Sequence, residues 1–124
     1  MFSRFHLKFW NAGWTIFGAA FLVLIVSGCK PLPPSKAEAL FTPEEAQGAQ
    51  VFHNYCARCH YPTTTRGLKG PGLQALTKIK EMPSGAPPTD ERILATIRHG
   101  RGMMQPVQIP EDELAPLLAY LHTL

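Results

Sequence analysis

Two cysteines three residues apart, with a histidine directly behind them, constrain this chain more than any other stretch: Cys56-Ala57-Arg58-Cys59-His60. On one helical turn, residues i and i+3 share a face, so both sulfurs can reach the two vinyl-derived edges of one porphyrin. The next residue turns its imidazole toward the iron from the proximal side. The pattern reads as c-type haem attachment through Cys56 and Cys59, with His60 as an iron ligand. A tetrahedral zinc site would need four ligands, normally two separated pairs, and the only other cysteine is Cys29. A thioredoxin-like redox pair would want a βαβ context, and no strand-rich sequence flanks the motif.

Cys29 has a context of its own. Residues 1–14 carry Arg4, His6 and Lys8 with no acid, Thr15 to Val26 is an apolar run, and Val26-Ser27-Gly28-Cys29 closes it. A positive start, a short apolar stretch and small residues before a cut site are the parts of a secretory signal. The Val-Ser-Gly-Cys ending resembles the lipobox of bacterial lipoproteins, which implies a signal peptide over 1–28 and lipid attachment at Cys29. The competing reading is an uncleaved anchor, since Phe9 to Gly28 would just span a bilayer. Either way the chain is expected on the periplasmic side of a bacterial envelope, held to a membrane. Lys30 to Ala39, with three prolines, reads as an extended spacer, so residues 29–41 are expected to be a Pro-rich tether.

The remainder, 42–124, is one domain near the low end of what folds alone. Without Arg4 and Lys8, the part from Cys29 onward carries ten Lys and Arg against nine Asp and Glu, so its charge is near balance. No basic tract or aromatic platform is present, so nucleic acid is not an expected partner. Thr42-Pro43-Glu44-Glu45 starts a helix, with Thr42 as N-cap, Pro43 at the first position and Glu45 completing a capping box. It runs through Gly48, Val51, Phe52 and Tyr55 into Cys56. Thr89-Asp90-Glu91 starts a second helix with Ile93, Leu94 and Ile97 as its apolar stripe and Gly100 as its stop. Pro110 to Leu124 reads as a last helix that buries Leu114, Leu117, Leu118 and Leu121. Pro116 is awkward there, because it removes a backbone donor and crowds the preceding turn.

An electron carrier also needs a sixth ligand to the iron. A thioether is a soft, neutral donor that favours ferrous iron. Arg101-Gly102-Met103-Met104-Gln105-Pro106 offers two methionines, with His99 close by and Met82, beside a proline, as a distant rival.

A Gly-x-x-x-Phe helix, CxxCH, a Gly-Pro-x-Leu turn (Gly70 to Leu73), a Gly-x-x-Met segment and a C-terminal Ala-Tyr-Leu helix occur here in the order that resembles the small monohaem cytochromes c. The resemblance covers nearly all of 42–124. It implies an all-α, cytochrome c-like fold of three to four short helices wrapped around one covalently bound haem c. It implies that the first and last helices cross near perpendicularly at Gly48, Phe52, Tyr120 and Leu121. It further implies that the Pro71 carbonyl accepts the His60 ring N–H, and that Leu73 and Leu76 line the haem pocket. On the family's Gly-x-Gly-x-Met pattern, Gly100 and Gly102 put Met104 at the ligand position, with Met103 as the alternative. The family has Met-Pro where this chain has Met-Gln-Pro.

The function expected from these readings is electron transfer by a membrane-tethered cytochrome, not enzymatic catalysis. Redox proteins are the expected partners, whether the domain is a free carrier or a respiratory-complex subunit. Arg58, Arg66, Lys69, Lys78, Lys80 and Arg101 are candidates for a basic rim that orients an acidic partner. The alternative is a haem enzyme or gas sensor with an open sixth site.

Overall fold

The computed structural model describes residues 31–124, so the expected signal peptide and Cys29 lie outside the described residues. Leu32–Leu124 forms one compact unit. It holds a short 3-10 helix at Glu38–Leu40 and three α-helices: α1 (Pro43–Tyr55), α2 (Asp90–His99) and α3 (Glu111–Leu121). No strand occurs among the described residues; the only ladder pairing is an isolated bridge between Arg101 and Met104. The fold is all-α and cytochrome c-like.

Local chemistry sets the helix starts. Thr42 Oγ1 accepts from the Glu45 N–H at 3.2 Å, and a Glu45 carboxylate oxygen accepts from the Thr42 N–H at 2.7 Å. Two orphan donors of the first turn are thereby satisfied, and Pro43 occupies a position that has no donor to lose. Thr89 caps α2 by accepting from the Arg92 N–H, and Gly100 ends it. α3 is shorter than the expected Pro110–Leu124: Pro110 is its N-cap, and His122 to Leu124 turn out of it. Leu94 is only half-buried, so the inward stripe of α2 is Ile93 and Ile97.

Helix α1 packs on α3, and the contact is as close as backbones allow. A Cβ at Gly48 would fall on the Pro116 carbonyl and lie 2.8 Å from the Tyr120 Cβ. Pro116, inside α3, is buried where the two helices meet. Phe52 and Tyr120 stack obliquely beside it with centroids 5.4 Å apart. Phe41 meets the other side of Tyr120 edge-on at 5.7 Å. From this point the core spreads through Val51, Ile93, Ile97, Leu117, Leu121 and Leu124. Helix α2 is held along α3 by two pairs at its ends, Arg98 with Glu111 at 2.8 Å and Asp90 with His122 at 2.9 Å. Those pairs make the two helices run in opposite senses. Being exposed, they are worth about 0–1 kcal/mol each and set direction more than stability.

The Pro-rich segment is not wholly a free spacer. The Lys36 N–H donates to the Thr123 carbonyl at 2.7 Å, Gln74 donates to the Pro33 carbonyl at 3.1 Å, and Lys36 Nζ pairs with the Glu45 carboxylate. With Phe41 packed on Tyr120, residues 33–41 lie as a strap against the domain.

Two outcomes follow from these contacts. Gly48→Ala should destabilise the haem-loaded protein by about 1–3 kcal/mol through overpacking, whereas Gln47→Ala on the exposed face should change it by less than about 0.5 kcal/mol. Denaturant unfolding of both variants measures the difference. The second concerns pH. The Lys36 ammonium, then the Thr42 N–H, holds the Glu45 carboxyl below its ordinary value. A depressed carboxylate contributes above the unfolded value and loses its effect as pH falls through the folded one. Hydrogen-exchange protection of the Lys36 amide should therefore stay level down to about pH 4.5 and drop below it.

Candidate functional site

The cysteine motif continues α1 as a further turn. Cys56 is the C-cap, and both the Cys59 and His60 N–H groups donate to its carbonyl, at 2.9 and 3.0 Å. The following loop folds back and is pinned across the motif. Gly70 N–H donates to the Cys59 carbonyl and Leu73 N–H to the Tyr61 carbonyl, each at 2.9 Å. This brings the Pro71 carbonyl 2.8 Å from His60 Nδ1. A carbonyl only accepts, so Nδ1 carries the proton and Nε2 of the neutral ring keeps a bare lone pair. The bond fixes the ring's orientation and raises its basicity as a donor to a metal. Position 70 must be glycine for this to happen, because a Cβ there would strike the His60 ring, with Nδ1 and Nε2 each 2.9 Å away.

Behind the histidine, Leu73 and Leu76 flank Ala75, which is fully buried with a left-handed φ of 58°. An L-residue in that region costs about 1–2 kcal/mol. The turn that positions the two leucines is therefore a strained one, held by Lys78 and Ile79 N–H bonds to the Ala75 carbonyl.

On the α2 side, Arg101 and Met104 exchange both backbone hydrogen bonds, at 2.9 and 3.0 Å, around Gly102 and Met103. Gly102 has φ 57° while Met103 does not enter the left-handed region, the pattern of a type II′ hairpin. A two-residue turn of this kind sends its members different ways. Met103 stands at the tip, 90% exposed, whereas Met104 is half-buried against the hydrophobic core. The Val107 N–H, bonded to the Ile97 carbonyl at 2.9 Å, ties the returning chain to α2.

These elements enclose a cleft of about 910 Å³. Cys56, Cys59, His60, Pro71, Leu73, Leu76 and Met104 line it, with Met103 at its margin, and Cys29 alone of the candidate residues lies outside the described part. Its floor is the core itself: Phe52, Ile93, Ile97, Leu117 and Leu121 belong to both. Sequence reasoning placed Met82 only as a rival ligand and missed Ser84 altogether, yet both line the cleft. Nothing local marks a serine for that role.

The cleft suits a large, flat, apolar group with a polar end. Its volume lies at the upper end of the range for ligand cavities, and apolar side chains dominate its walls. The Ser84 hydroxyl is buried in its wall without a partner. Burial, and then the neighbouring Cys59, push the Cys56 thiol up to about 11, so a charged sulfur is disfavoured there. A thioether removes that ionisable group altogether. Among the described residues no three His, Cys, Asp or Glu side chains are grouped to hold a metal ion unaided.

The basic residues are divided. Arg58, Lys69 and Arg101 line the cleft. Arg66 instead lies 5.9 Å above the Tyr61 ring, Lys78 donates to the Leu124 carbonyl, and Lys80 is near Glu81. Three of the six residues expected at the rim are thus engaged elsewhere.

A helical domain closed over an apolar cleft, with a CxxCH turn at its wall, defines a small c-type cytochrome. Residues 43–121, more than half of the chain, match the family described as cytochrome C oxidase, cbb3-type, subunit III, and the chain belongs to that family. No curated protein is matched. The protein carries one covalently bound haem c, and haem-based electron transfer is its chemistry.

Gly70→Ala should displace the His60 ring and break its bond to Pro71. Solvent exchange of the ring N–H, followed by NMR of the reduced protein, should then quicken by about tenfold, equivalent to one neutral hydrogen bond. An unchanged rate would mean that the ring is held by something else.

Proposed function

We propose that this chain is a membrane-anchored electron carrier of the periplasmic face, in which His60 and Met104 would hold the haem iron. The observation that carries the reading is the hairpin at 101–104, which turns Met104 to the cleft that His60 also lines and leaves Met103 in solvent.

When bound, the haem supplies a one-electron change at iron with no bond made or broken. The protein's part is to keep everything else still. Cys56 and Cys59 fix the macrocycle to the end of α1, which is itself locked on α3 at Gly48. His60 presents Nε2 because Pro71 holds its Nδ1 proton. Met104 offers a thioether on a loop tied by two backbone bonds to Arg101 and by Val107 to α2. A neutral sulfur stabilises the ferrous state and raises the potential relative to a second imidazole. Core residues forming the cleft floor exclude water, which limits the solvent rearrangement that accompanies a change of charge.

For the rest of the chain we propose division into a lipoprotein-type signal peptide (1–28), a Pro-rich tether (29–41) and the haem domain (42–124), with lipid on Cys29. On this reading the lipid on Cys29 does the anchoring; no helix among the described residues is long and apolar enough to cross a membrane, and the rival span, Phe9 to Gly28, lies outside them. The name of the family, an oxidase subunit, favours redox proteins as partners and a place within a respiratory complex.

Spectra recorded during a redox titration of the full-length, haem-loaded protein test the ligation. The weak red band of sulfur–iron coordination should be present in the ferric native protein and in Met103→Leu, and absent in Met104→Leu. The last variant should also have a lower midpoint potential and should bind cyanide or carbon monoxide readily. A band that survives Met104→Leu, or is missing from the native protein, overturns the assignment. The anchor has a separate test. Cys29→Ala expressed in a lipoprotein-processing host should lose the acyl mass and leave the membrane fraction, and native protein without acyl mass refutes it.

A further inference from the structure

Beside the haem cleft, between the 82–86 loop and the outer face of α2, lies a smaller pocket of about 280 Å³. It shares Met82, Ser84, Thr96 and Arg101 with the cleft, and Arg92 and His99 complete its polar wall. No acidic side chain lines it. Elsewhere on the domain several cations have partners: Lys36 has Glu45, Arg98 has Glu111, and Lys78 has the Leu124 carbonyl. Here the wall is different. Among the described residues the side chains of Arg101 and His99 make no hydrogen bond, and that of Arg92 makes only one long contact, 3.4 Å to the Pro87 carbonyl. The Ser84 hydroxyl adds a buried polar group with no partner. Two guanidinium groups line one small cavity with no counter-charge beside them, an arrangement that a bound anion complements.

We propose that this pocket binds an oxoanion of the phosphate class, and that its occupancy is coupled to the oxidation state of the haem. Guanidinium groups match such anions with paired N–H donors, so Arg92 and Arg101 are the principal contacts, with the His99 ring and the Ser84 hydroxyl as further donors. The coupling follows from Arg101. It lines both cavities and is joined through both its backbone hydrogen bonds to Met104. An anion beside Arg101 is attracted more strongly when the neighbouring haem carries the extra positive charge of its oxidised state. By linkage, the anion binds the oxidised protein more tightly and lowers the midpoint potential by the corresponding amount. The binding itself does not require Met104 to be a ligand, so it can be tested apart from the ligation proposed above.

The test is calorimetric titration of the full-length holoprotein with inorganic phosphate, in both oxidation states, at constant ionic strength set with chloride. One saturable site is expected, tighter in the oxidised form. Affinity should fall about tenfold in Arg92→Gln/Arg101→Gln, a loss of roughly 1.4 kcal/mol, and fall less in Ser84→Ala. Arg66→Gln, whose guanidinium stands over Tyr61, should bind as the native protein does. Phosphate should lower the midpoint potential of the native protein, and that of the double variant only at about tenfold higher concentration. Absence of saturable binding, or equal weakening in Arg66→Gln, overturns the proposal. No phosphate binding together with a potential that moves on Arg101→Gln alone would assign the pocket to one of the haem's own carboxylates, and overturns it too.

Discussion

The contact of Gly48 with the backbone of Pro116 is the constraint from which the rest of the domain takes its position. Because α1 has no side chain at that point, α3 comes near enough for Phe52 to reach Tyr120. The end of α1, where Cys56 begins the haem-binding turn, is then fixed relative to Leu117 and Leu121, which form the cleft floor. The attachment site and the wall facing it thus belong to one two-helix unit. Helix α2 and the loops add the remaining walls, with hydrogen bonds supplying precision: Pro71 on the histidine, Arg101 on the methionine hairpin, Ile97 on the returning chain.

What could be read from the amino-acid sequence was whatever local chemistry determines. Thr42 with Glu45, Thr89 with the acids behind it, and Gly100 after the last turn of α2 each act within a few residues, and each is found at its helix end. The cysteine spacing likewise encodes its geometry within a single turn. Pro116 shows where such reasoning stops. Viewed along its own helix, it is a lost hydrogen bond; its context is Gly48 of α1, far earlier in the chain, which no local rule contains. The two adjacent methionines are a similar case. Only the positive φ of Gly102 and the pairing of Arg101 with Met104 separate a residue in solvent from one against the core.

Charge was less legible still. The six basic residues expected at the rim look equivalent on paper, because sequence alone says nothing about which have found an aromatic face or a carbonyl. In the folded chain Arg66 and Lys78 have done so, while Arg58, Lys69 and Arg101 remain at the cleft. The surface that a partner meets is accordingly smaller and more localised than composition suggests. Ser84, in a loop of prolines and small residues, gave no signal because a lone hydroxyl acquires meaning only from its surroundings.

The strap of residues 33–41 has a geometric corollary. Since the Lys36 amide is hydrogen-bonded to the Thr123 carbonyl, the path into the domain and the path out of it meet at one spot on the surface. A short engineered linker could bridge them, and new ends could be opened in an exposed loop such as Thr63 to Arg66, as in circular permutation of domains with neighbouring termini. A label on the strap near Lys36 and one beside Thr123 would accordingly stand on the same patch of the domain.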